Sequence, residues 1–393
     1  MTKKLPIAVV VIPTYNEAGS IGKMIDYLFT DTFPQIKNWD CKILVVDDTS
    51  PDGTYKVVQT KQKKYQDLFL SLSAKKAGIG GAYVRGFRYA MKEIRADVVI
   101  EMDGDFQHPP KYISQLLQGI ADGYDYVLGS RKLKGGSNPK GWGFKRVFLS
   151  EVGSLVARFI LFFPTKDFFR VTDPTGGFKA SRVKGFVDTM DMDHLYSHSF
   201  GYKLEFLYKM IQLGAKVKEI PLKFGLRTEG ESKIEPQTAM EVFRVVSLLR
   251  WYDSTTQKFM KFGAIGLFGF AINKLGLDLF AKLLANFIDG VGVRNTVANA
   301  LAAEVSIISN FILNNLWTFK NEKLVWGSKL VKKFTTFNLS SVVSGIIIPS
   351  LVIGFGTQVF GDQYRTLFLV IAVFAITVPL NWFIYNLVIW KKR

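Results

Sequence analysis

The sequence predicts an α/β fold, a mostly parallel sheet with flanking helices, followed by a domain of membrane-spanning helices. Two patterns indicate the sheet. Short β-branched runs alternate with helical segments of about ten residues or more, and several of these runs end in acidic residues. A third pattern indicates the membrane, because long apolar stretches crowd the last third of the chain. The 393 residues are enough for more than one domain.

Five strands are expected in the first half of the chain, each a short apolar run that ends at turn-forming residues. They are 7–13, 41–48, 68–73, 98–103 and 124–131. Helical segments are expected up to about residue 28, over 54–66 and over 78–91. The glycine-rich GIGGAYVRG at 78–86 is not a G-x-G-x-x-G motif, because Tyr83 occupies the third glycine position. We interpret these glycines as packing below a nucleotide or as turning the chain.

The charge and the apolar content of the chain indicate which kinds of molecule it binds. Lys and Arg outnumber Asp and Glu by 51 to 33, and the net charge of +18 favours anionic partners. The 33 Phe residues and the long apolar runs favour a membrane setting over nucleic acid. Cys41 is the only cysteine, which excludes an intrachain disulfide and agrees with a reducing compartment. The N-terminal apolar run is short and ends at Pro13, so it does not resemble a signal peptide.

The segment 97–110 (DVVIEMDGDFQHPP) carries the most informative acidic residues. Asp103 and Asp105 follow a buried run, and ligands of α/β sheets bind beyond the carboxyl ends of parallel strands. Two carboxylates one residue apart repel unless a cation lies between them, and Gln107 adds an amide oxygen. A hard divalent cation such as Mg²⁺ or Mn²⁺ prefers such oxygen ligands. The alternative is a solvated acidic turn, since Asp and Gly are common turn residues.

Two aromatic, amphipathic segments lie at 142–163 and 236–257. Charged residues interrupt the first at near-helical spacing, and Arg244, Arg250 and Trp251 are typical anchors in the second. Both segments therefore indicate helices that lie in the membrane interface. The alternative is two ordinary amphipathic helices that pack on the sheet domain.

After Lys258 the chain contains four apolar stretches, each near or above the roughly 20 residues that span a bilayer. The expected spans are about 262–286, 296–319, 334–359 and 365–390. Basic residues concentrate in the loop 320–333 and at the C-terminus. The positive-inside rule therefore predicts a multi-pass protein of the cell membrane with the sheet domain and both termini in the cytoplasm. Polar residues inside a span are functional candidates by default, here Glu304, Asn310 and Asn314. Asn310 and Asn314, four residues apart, are interpreted instead as pairing with a neighbouring helix.

The domain prediction has three parts. Residues 1–235 form the sheet domain, 236–258 an amphipathic interface helix or linker, and 259–393 the transmembrane domain.

Six ordered motifs carry a resemblance to a known family. They are IPTYNE at 12–17, VVDDTSPDGT at 45–54, MDGDFQHPP at 102–110, GSR at 129–131, DPTGGFK at 173–179 and LRTEGESK at 226–233. In this order they resemble the family 2 glycosyltransferases of the GT-A (Rossmann-like) fold, and among those the dolichol-phosphate mannose synthases. The resemblance covers about residues 5–235. The C-terminal part resembles the GtrA-like four-helix membrane domain, in which a segment such as NFILNNLWTF at 310–319 is typical.

The resemblance implies transfer of mannose from GDP-mannose to dolichyl phosphate or another polyprenyl phosphate. It implies that Asp103, Asp105 and Gln107 hold the Mg²⁺ or Mn²⁺ ion that neutralises the leaving diphosphate. The implied nucleotide-sugar-binding residues lie mainly at strand tips: Pro13, Tyr15, Glu17, Asp47, Asp48, Asp103 and Asp173. For Asp47 and Asp48 the residues alone also fit a turn-forming acidic pair.

The acceptor phosphate is already anionic near neutral pH, so it needs cations that position it rather than a general base. Arg131, Arg227 and Lys233 are the residues expected to form this phosphate clamp, and Asp105 completes the catalytic set. A single displacement through an oxocarbenium-like transition state would invert the anomeric carbon. For Asp173 we expect contacts to sugar hydroxyls or to an Arg. For Arg227 and Lys233 the alternative is a solvated loop.

Other functions stay open at this point. A UDP-glucose-using polyprenyl-phosphate glucosyltransferase would share the whole mechanism and differ in the donor. A processive polysaccharide synthase is disfavoured, because SLLRW at 247–251 lacks the Gln of a Q-x-x-R-W motif. A flippase or scaffold for lipid-linked sugar belongs to a different class, and the intact D-x-D motif counts against an inactive sheet domain.

Overall fold

The computed structural model describes residues 4–139, 141–162, 166–225 and 236–391. The chain forms two compact units, Met1–Trp251 and Tyr252–Arg393. The first is built on a sheet and the second is built from helices.

The first unit is organised around a seven-stranded sheet with the order β3-β2-β1-β4-β6-β5-β7. The strands are β1 Ile7–Thr14, β2 Asp40–Asp47, β3 Leu68–Leu72, β4 Val98–Glu101, β5 Tyr126–Ser130, β6 Lys179–Arg182 and β7 Val217–Pro221. Among these strands, β6 runs antiparallel to its neighbours β4 and β5, and the other pairs are parallel. The expected mostly parallel sheet is confirmed, and all five predicted strands form.

Two strands were not predicted from the sequence. β6 reads KASR and β7 reads VKEIP, so neither shows an apolar run. β6 nevertheless lies inside the sheet, because Lys179 is buried opposite Glu101 of β4. A buried ion pair takes the place of the apolar pattern, and a prediction based on hydrophobic periodicity therefore misses the strand.

Helices of the first unit flank the sheet. The described ones are α1 Ala18–Tyr27, α2 Thr54–Gln62, α3 Gly78–Tyr89, α4 Ile113–Ala121, α5 Phe144–Leu161, α6 Lys166–Arg170, α7 Tyr202–Gln212 and α8 Pro236–Tyr252. The glycines of α3 allow close packing. A Cβ at Gly86 would lie 2.5 Å from Val11 Cγ1, and one at Gly80 would lie 2.7 Å from Tyr202 Cβ. Packing of this helix against neighbouring side chains is a role that neither interpretation of GIGGAYVRG anticipated.

Apolar side chains pack on both faces of the sheet because neighbouring strand residues point to opposite sides. On β1, Val9 and Val11 join the cluster under α3 and α7, whereas Val10 and Ile12 join the cluster under α1 and α4. Helix α8, in the predicted interface segment 236–257, also contributes to the first cluster, through Val245, Val246 and Leu249. This side of α8 therefore packs as an ordinary amphipathic helix.

The second unit contains long helices. They are α9 Ser254–Leu283, α10 Val291–Leu313, α11 Ser328–Val342, α12 Ile348–Phe360, α13 Arg365–Val370 and α14 Val378–Ile384, with π turns continuing or joining several of them. Within the described residues, three helical segments are long and apolar enough to cross a membrane: Ser254–Asn286, Val297–Thr318 and Ile371–Ile389. They overlap the first, second and fourth predicted spans. The third predicted span corresponds to α11 and α12, which a π turn at Val343–Ile347 joins.

Polar residues of the second span form helix contacts. The Asn338 amide of α11 donates to Glu304 Oε1 of α10 at 2.7 Å, which pairs these two helices. Asn310 packs against Gly269 of α9, where a Cβ would lie 2.4 Å from the Asn310 amide. Asn314 instead donates to the Asn310 carbonyl of its own helix at 2.9 Å. These contacts support helix pairing by Asn310 and show that Glu304 also joins two helices, whereas the buried Asn314 amide bonds within its own helical segment.

Candidate active site

The predicted site residues of the first unit gather where neighbouring strands end. β1 lies between β2 and β4, so the carboxyl ends of these three strands meet at one edge of the sheet. This edge carries Pro13, Tyr15, Glu17, Asp47, Asp48 and Asp103. Arg131 follows β5, which β6 separates from β4.

Asp47 is a structural residue of this edge. Its carboxylate is fully buried and accepts hydrogen bonds from the Thr14 hydroxyl at 2.8 Å, the Ser50 backbone N–H at 2.8 Å and the Ser50 hydroxyl at 2.6 Å. These bonds join the ends of β1 and β2 and fix the turn that follows. The turn-forming interpretation therefore fits Asp47 better than a direct contact with the nucleotide.

Asp48 faces a different set of partners. It accepts hydrogen bonds from the Ala77 backbone N–H at 3.0 Å and from Arg85 Nη2 at 2.7 Å. The ammonium of Lys76 lies 3.9 Å from the centre of the Tyr15 ring, next to this contact. Asp48, Tyr15 and Lys76 thus place an aromatic ring and both signs of charge at this strand end.

The TSPDGT segment builds the start of two helices. The Asp52 carboxylate accepts hydrogen bonds from the backbone N–H groups of Ala18 and Thr54, each at 3.0 Å, and the Thr54 hydroxyl accepts one from the Glu17 backbone N–H at 2.9 Å. Burial acts to raise the pKa of Asp52, but these hydrogen bonds outweigh it and hold the pKa below its usual value. The segment therefore fixes Glu17 at the beginning of α1.

The D-x-D loop bends sharply after Asp105. Phe106 has a φ of 64°, in the left-handed region, which is uncommon for a bulky residue and often marks a functional site. The Gln107 backbone N–H donates to Asp105 Oδ1 at 3.1 Å, so the loop folds back onto its own acid. Asp105 and Gln107 are buried, whereas the Asp103 side chain is 25 % exposed. The loop thus anchors Asp105 and leaves the Asp103 side chain partly exposed.

His108 supports this loop. Its Nδ1 accepts a hydrogen bond from the Asp103 backbone N–H at 2.9 Å. The ring stacks on Phe178 with centroids 5.2 Å apart and meets the Phe224 ring edge-on at 5.2 Å. Burial lowers the pKa of His108, which the nearby Asp103 charge only partly offsets, so the neutral ring is favoured. His108 is a neutral support that holds the Asp103 backbone.

Arg131 and Asp173 form a buried, bidentate ion pair. Arg131 Nε and Nη2 each donate to the Asp173 carboxylate at 2.6 Å, and the Arg131 backbone N–H donates at 3.1 Å. Burial acts to raise the pKa of Asp173, but the hydrogen bonds and charge of Arg131 outweigh it and hold the pKa below its usual value. Glu219 of β7 accepts the Asp173 backbone N–H at 3.0 Å and so fixes the pair to the sheet. Of the two roles expected for Asp173, the structure supports the orientation of an arginine.

A second arginine lies beside the first. Trp142 packs between them, with the Arg146 guanidinium carbon 3.9 Å and the Arg131 guanidinium carbon 5.4 Å from its ring centre. Sequence reasoning took Arg146 only as an interruption of an interface helix. The shared tryptophan, which brings two cations to one place, is visible only in the folded chain.

A buried ion pair lies below the D-x-D loop. Glu101 and Lys179 approach to 3.5 Å, and each side chain is about 1 % exposed. Burial raises the pKa of Glu101 to about 7, against the opposing charge of Lys179, and burial lowers the pKa of Lys179 to about 8. The pair links β4 to β6 directly beneath the residues that precede Asp103.

Two members of the expected phosphate clamp, Arg227 and Lys233, lie outside the described residues. Their roles stay predictions.

The donor set of the D-x-D loop fits a hard divalent cation. Two carboxylates and one amide oxygen come from five consecutive residues, and the bend at Phe106 turns the loop back on itself. In the part of the chain that the structure describes, no group of three His, Cys, Asp or Glu side chains could hold a metal ion. An ion on this loop would therefore take its remaining ligands from water or from a bound diphosphate, as Mg²⁺ commonly does.

Two family models match the chain. Residues 9–190 match the glycosyl transferase family 2 model, and residues 257–390 match the model of the GtrA/DPMS transmembrane domain. A dolichol-phosphate mannosyltransferase of Pyrococcus furiosus is 33 % identical over 341 residues, which cover 86 % of this chain and 88 % of that protein. An undecaprenyl-phosphate mannosyltransferase of Micrococcus luteus is 34 % identical over 241 residues, which cover 61 % of this chain and 92 % of that protein.

The sheet domain, its acidic edge and these matches define a glycosyltransferase with a membrane domain. The chain belongs to glycosyltransferase family 2, alongside relatives named as polyprenyl-phosphate mannosyltransferases, and it carries a GtrA/DPMS transmembrane domain. The resemblance seen in the six sequence motifs is thereby confirmed.

Proposed function

We propose that the protein transfers mannose from GDP-mannose to dolichyl phosphate or a similar polyprenyl phosphate, with the help of Mg²⁺ or Mn²⁺. The observation that carries this proposal is the pairing of two charge patterns in one unit. Acidic and amide ligands suited to a cation lie at the end of β4, and the buried pair of Arg131 and Asp173 lies at the end of β5. The names of the two relatives support the same reaction.

The donor would bind along the ends of β1, β2 and β4. Pro13, Tyr15 and Glu17 would line the nucleotide pocket together with Asp48, while Asp47 holds the turn beneath it. Asp103, Asp105 and Gln107 would hold the divalent cation. When bound, the cation would neutralise the diphosphate and so improve it as a leaving group.

The acceptor phosphate would be positioned by arginine. Asp173 and Thr175 engage Nε and Nη2 of Arg131, and Nη1 makes no hydrogen bond within the described residues. This fixed fork would turn its remaining edge towards the phosphate, and Arg146 would add a second cation across Trp142. Arg227 and Lys233 would complete the clamp. The phosphate oxygen would then attack the anomeric carbon in one step and invert it.

The lipid tail of the acceptor would contact helix α5. Its outer face is apolar and unusually exposed, with Phe144 at 83 %, Phe159 at 76 % and Leu155 at 56 %. Such a face suits the interface of a bilayer, where a phosphate at the head of a long isoprenoid chain also lies. We therefore propose a multi-pass protein of the cell membrane with four spans, the catalytic domain and both termini on the cytoplasmic side.

The test is transfer of radiolabelled sugar to dolichyl phosphate by the full-length protein in detergent, from GDP-mannose and from UDP-glucose in parallel. Label from GDP-mannose that EDTA abolishes and Mn²⁺ or Mg²⁺ restores is the expected result. Asp105→Ala should abolish transfer, whereas the matched control Asp122→Ala, an acid paired with Lys218 at 3.1 Å, should not. Label from UDP-glucose alone would move the protein to the glucosyltransferases. No label from either donor, with folded protein, would refute the enzyme proposal.

A further inference from the structure

An ammonium group is buried below the D-x-D loop. Lys203, in the first turn of α7, is only 7 % exposed. Its Nζ packs on the backbone of Gly177, because a Cβ built on Gly177 would lie 2.5 Å from this Nζ and 3.2 Å from His108 Cε1. The amine therefore lies between the loop that begins at Asp173 and the histidine that holds the Asp103 backbone.

Among the residues that the structure describes, this amine has no counter-ion of its own. In the described parts of the chain Nζ forms no ion pair or hydrogen bond, and the Phe200 ring lies 5.3 Å away. Glu101, the buried acid nearby, is paired with Lys179 at 3.5 Å. Burial is the largest influence on both neighbours: it raises the pKa of Glu101 and lowers the pKa of His108. The charge of Lys203 is close enough to act on both as well, opposing burial at Glu101 and adding to it at His108.

Burial of such a charge needs a reason beyond packing. Lysine is rarely buried unless it is paired, and burying an unpaired ammonium is costly. A methionine of similar length would fill the same space against Phe200 at no such cost. A Cβ at position 177 would press on this amine, which is the flexible end of the Lys203 side chain.

The surrounding charges indicate what the reason is. Arg131 compensates Asp173, and Lys179 compensates Glu101. Lys203 is an additional positive charge next to the loop of Asp103 and Asp105, and it belongs to neither of these two pairs. It opposes the approach of a divalent cation to that loop. Once the cation is bound, the same charge makes the loop more attractive to a dianionic diphosphate.

We propose that Lys203 is a positioning residue for the nucleotide sugar, which weakens binding of the divalent cation to the empty loop and strengthens binding of the diphosphate to the cation-loaded loop. The inference rests on the proposed function, which supplies both ligands. Its consequence is that the two ligands bind as a unit, because the loop holds the cation well only when the diphosphate is present.

The test uses full-length Lys203→Met protein in detergent. Mn²⁺ binding without nucleotide is followed by electron paramagnetic resonance of the free ion, and GDP binding is followed by calorimetry at saturating Mn²⁺. We expect Mn²⁺ to bind at least about tenfold more tightly and GDP at least about tenfold more weakly, because the substitution removes a unit charge that acts on both multiply charged ligands. The control Lys216→Met removes the same charge from an exposed position and should change neither affinity more than about twofold.

Opposite changes in the affinities for Mn²⁺ and for GDP distinguish this role of Lys203 from a purely structural one. Weaker binding of both ligands would indicate damage to the site and would overturn the inference, as would no change in either. Gly177→Ala pushes the amine aside without removing it and should shift both affinities in the same directions as Lys203→Met, so it decides the matter if Lys203→Met does not fold. Wild-type protein that binds neither Mn²⁺ nor GDP would refute the proposed function and the inference with it. Wild-type binding of both ligands, with unchanged affinities in the variants, would refute the inference alone.

Discussion

The Arg131–Asp173 pair permits a sharp test of how the acceptor side of the site is built. Asp173 is fully buried, the Arg131 side chain is 9 % exposed, and three hydrogen bonds of 2.6, 2.6 and 3.1 Å join the two residues. The substitution Asp173→Asn keeps the shape of the side chain and removes its charge. It therefore leaves a buried guanidinium without a counter-ion.

The expected loss of stability is about 3 kcal/mol. Breaking a buried ion pair by removing one partner typically costs about 3–5 kcal/mol, and Asn keeps one acceptor oxygen, which favours the lower end. The expected effect on transfer is larger, because an arginine that is no longer held in place positions the phosphate poorly. We expect kcat/KM for dolichyl phosphate to fall about a hundredfold, while the affinity for GDP-mannose changes little.

The depressed pKa of Asp173 adds a pH signature. A carboxyl whose pKa is lower in the folded state stabilises the protein above its ordinary pKa of 3.8, and this contribution is lost as the pH falls through the lower folded-state value. The difference in stability between the wild type and Asp173→Asn should therefore stay constant from about pH 5 to pH 9 and shrink only below about pH 4.

Thermal unfolding in detergent, followed by tryptophan fluorescence, and initial rates at varied dolichyl phosphate measure these effects. Asp125→Asn is the matched control. Asp125 pairs with Arg182 at 3.0 Å at the opposite end of β5, where both side chains are more exposed, so its loss should cost only about 1 kcal/mol and leave the KM unchanged. If Asp173→Asn kept the wild-type kcat/KM for dolichyl phosphate and lost no more stability than Asp125→Asn, the argument that Asp173 fixes Arg131 would be refuted.

Three further predictions concern other parts of the first unit. Lys179→Met leaves Glu101 buried without its partner and should lower the free energy of unfolding by about 3–5 kcal/mol, which the second substitution Glu101→Leu should largely restore; additive effects in chemical unfolding would contradict the pairing. Phe159→Glu puts a charge on the apolar face of α5 and should raise the KM for dolichyl phosphate about tenfold without changing GDP binding, and an unchanged KM would speak against lipid contact there. Asp48→Asn should weaken GDP binding about tenfold in calorimetry, whereas unchanged binding would remove Asp48 from the nucleotide pocket.

The sequence predicted the elements whose patterns are local. The five strands found in advance have mainly apolar runs, and the D-x-D loop follows one of them directly. β6 was not predicted, because its buried Lys179 is neutralised by Glu101 of another strand, 78 positions earlier in the chain. The contacts of His108 and Arg146 likewise involve residues that no sequence pattern connects to them. Their roles depend on Asp103 and Trp142 in the folded geometry, and no spacing in the sequence marks a histidine as a support or an arginine as one half of a pair.

Asp47 and Asp48 show why even a correctly located motif leaves roles undecided. The two residues are chemically identical and adjacent, but neighbouring residues at a strand end point to opposite sides. One side faces the interior of the sheet edge, where Thr14 and Ser50 engage Asp47. The other side faces Arg85 and the backbone of Ala77, next to the Tyr15 ring. Substitution of Asp47 should therefore disturb the turn and the stability of the unit, whereas substitution of Asp48 should act on the ligand, and only the pair of measurements assigns the two roles.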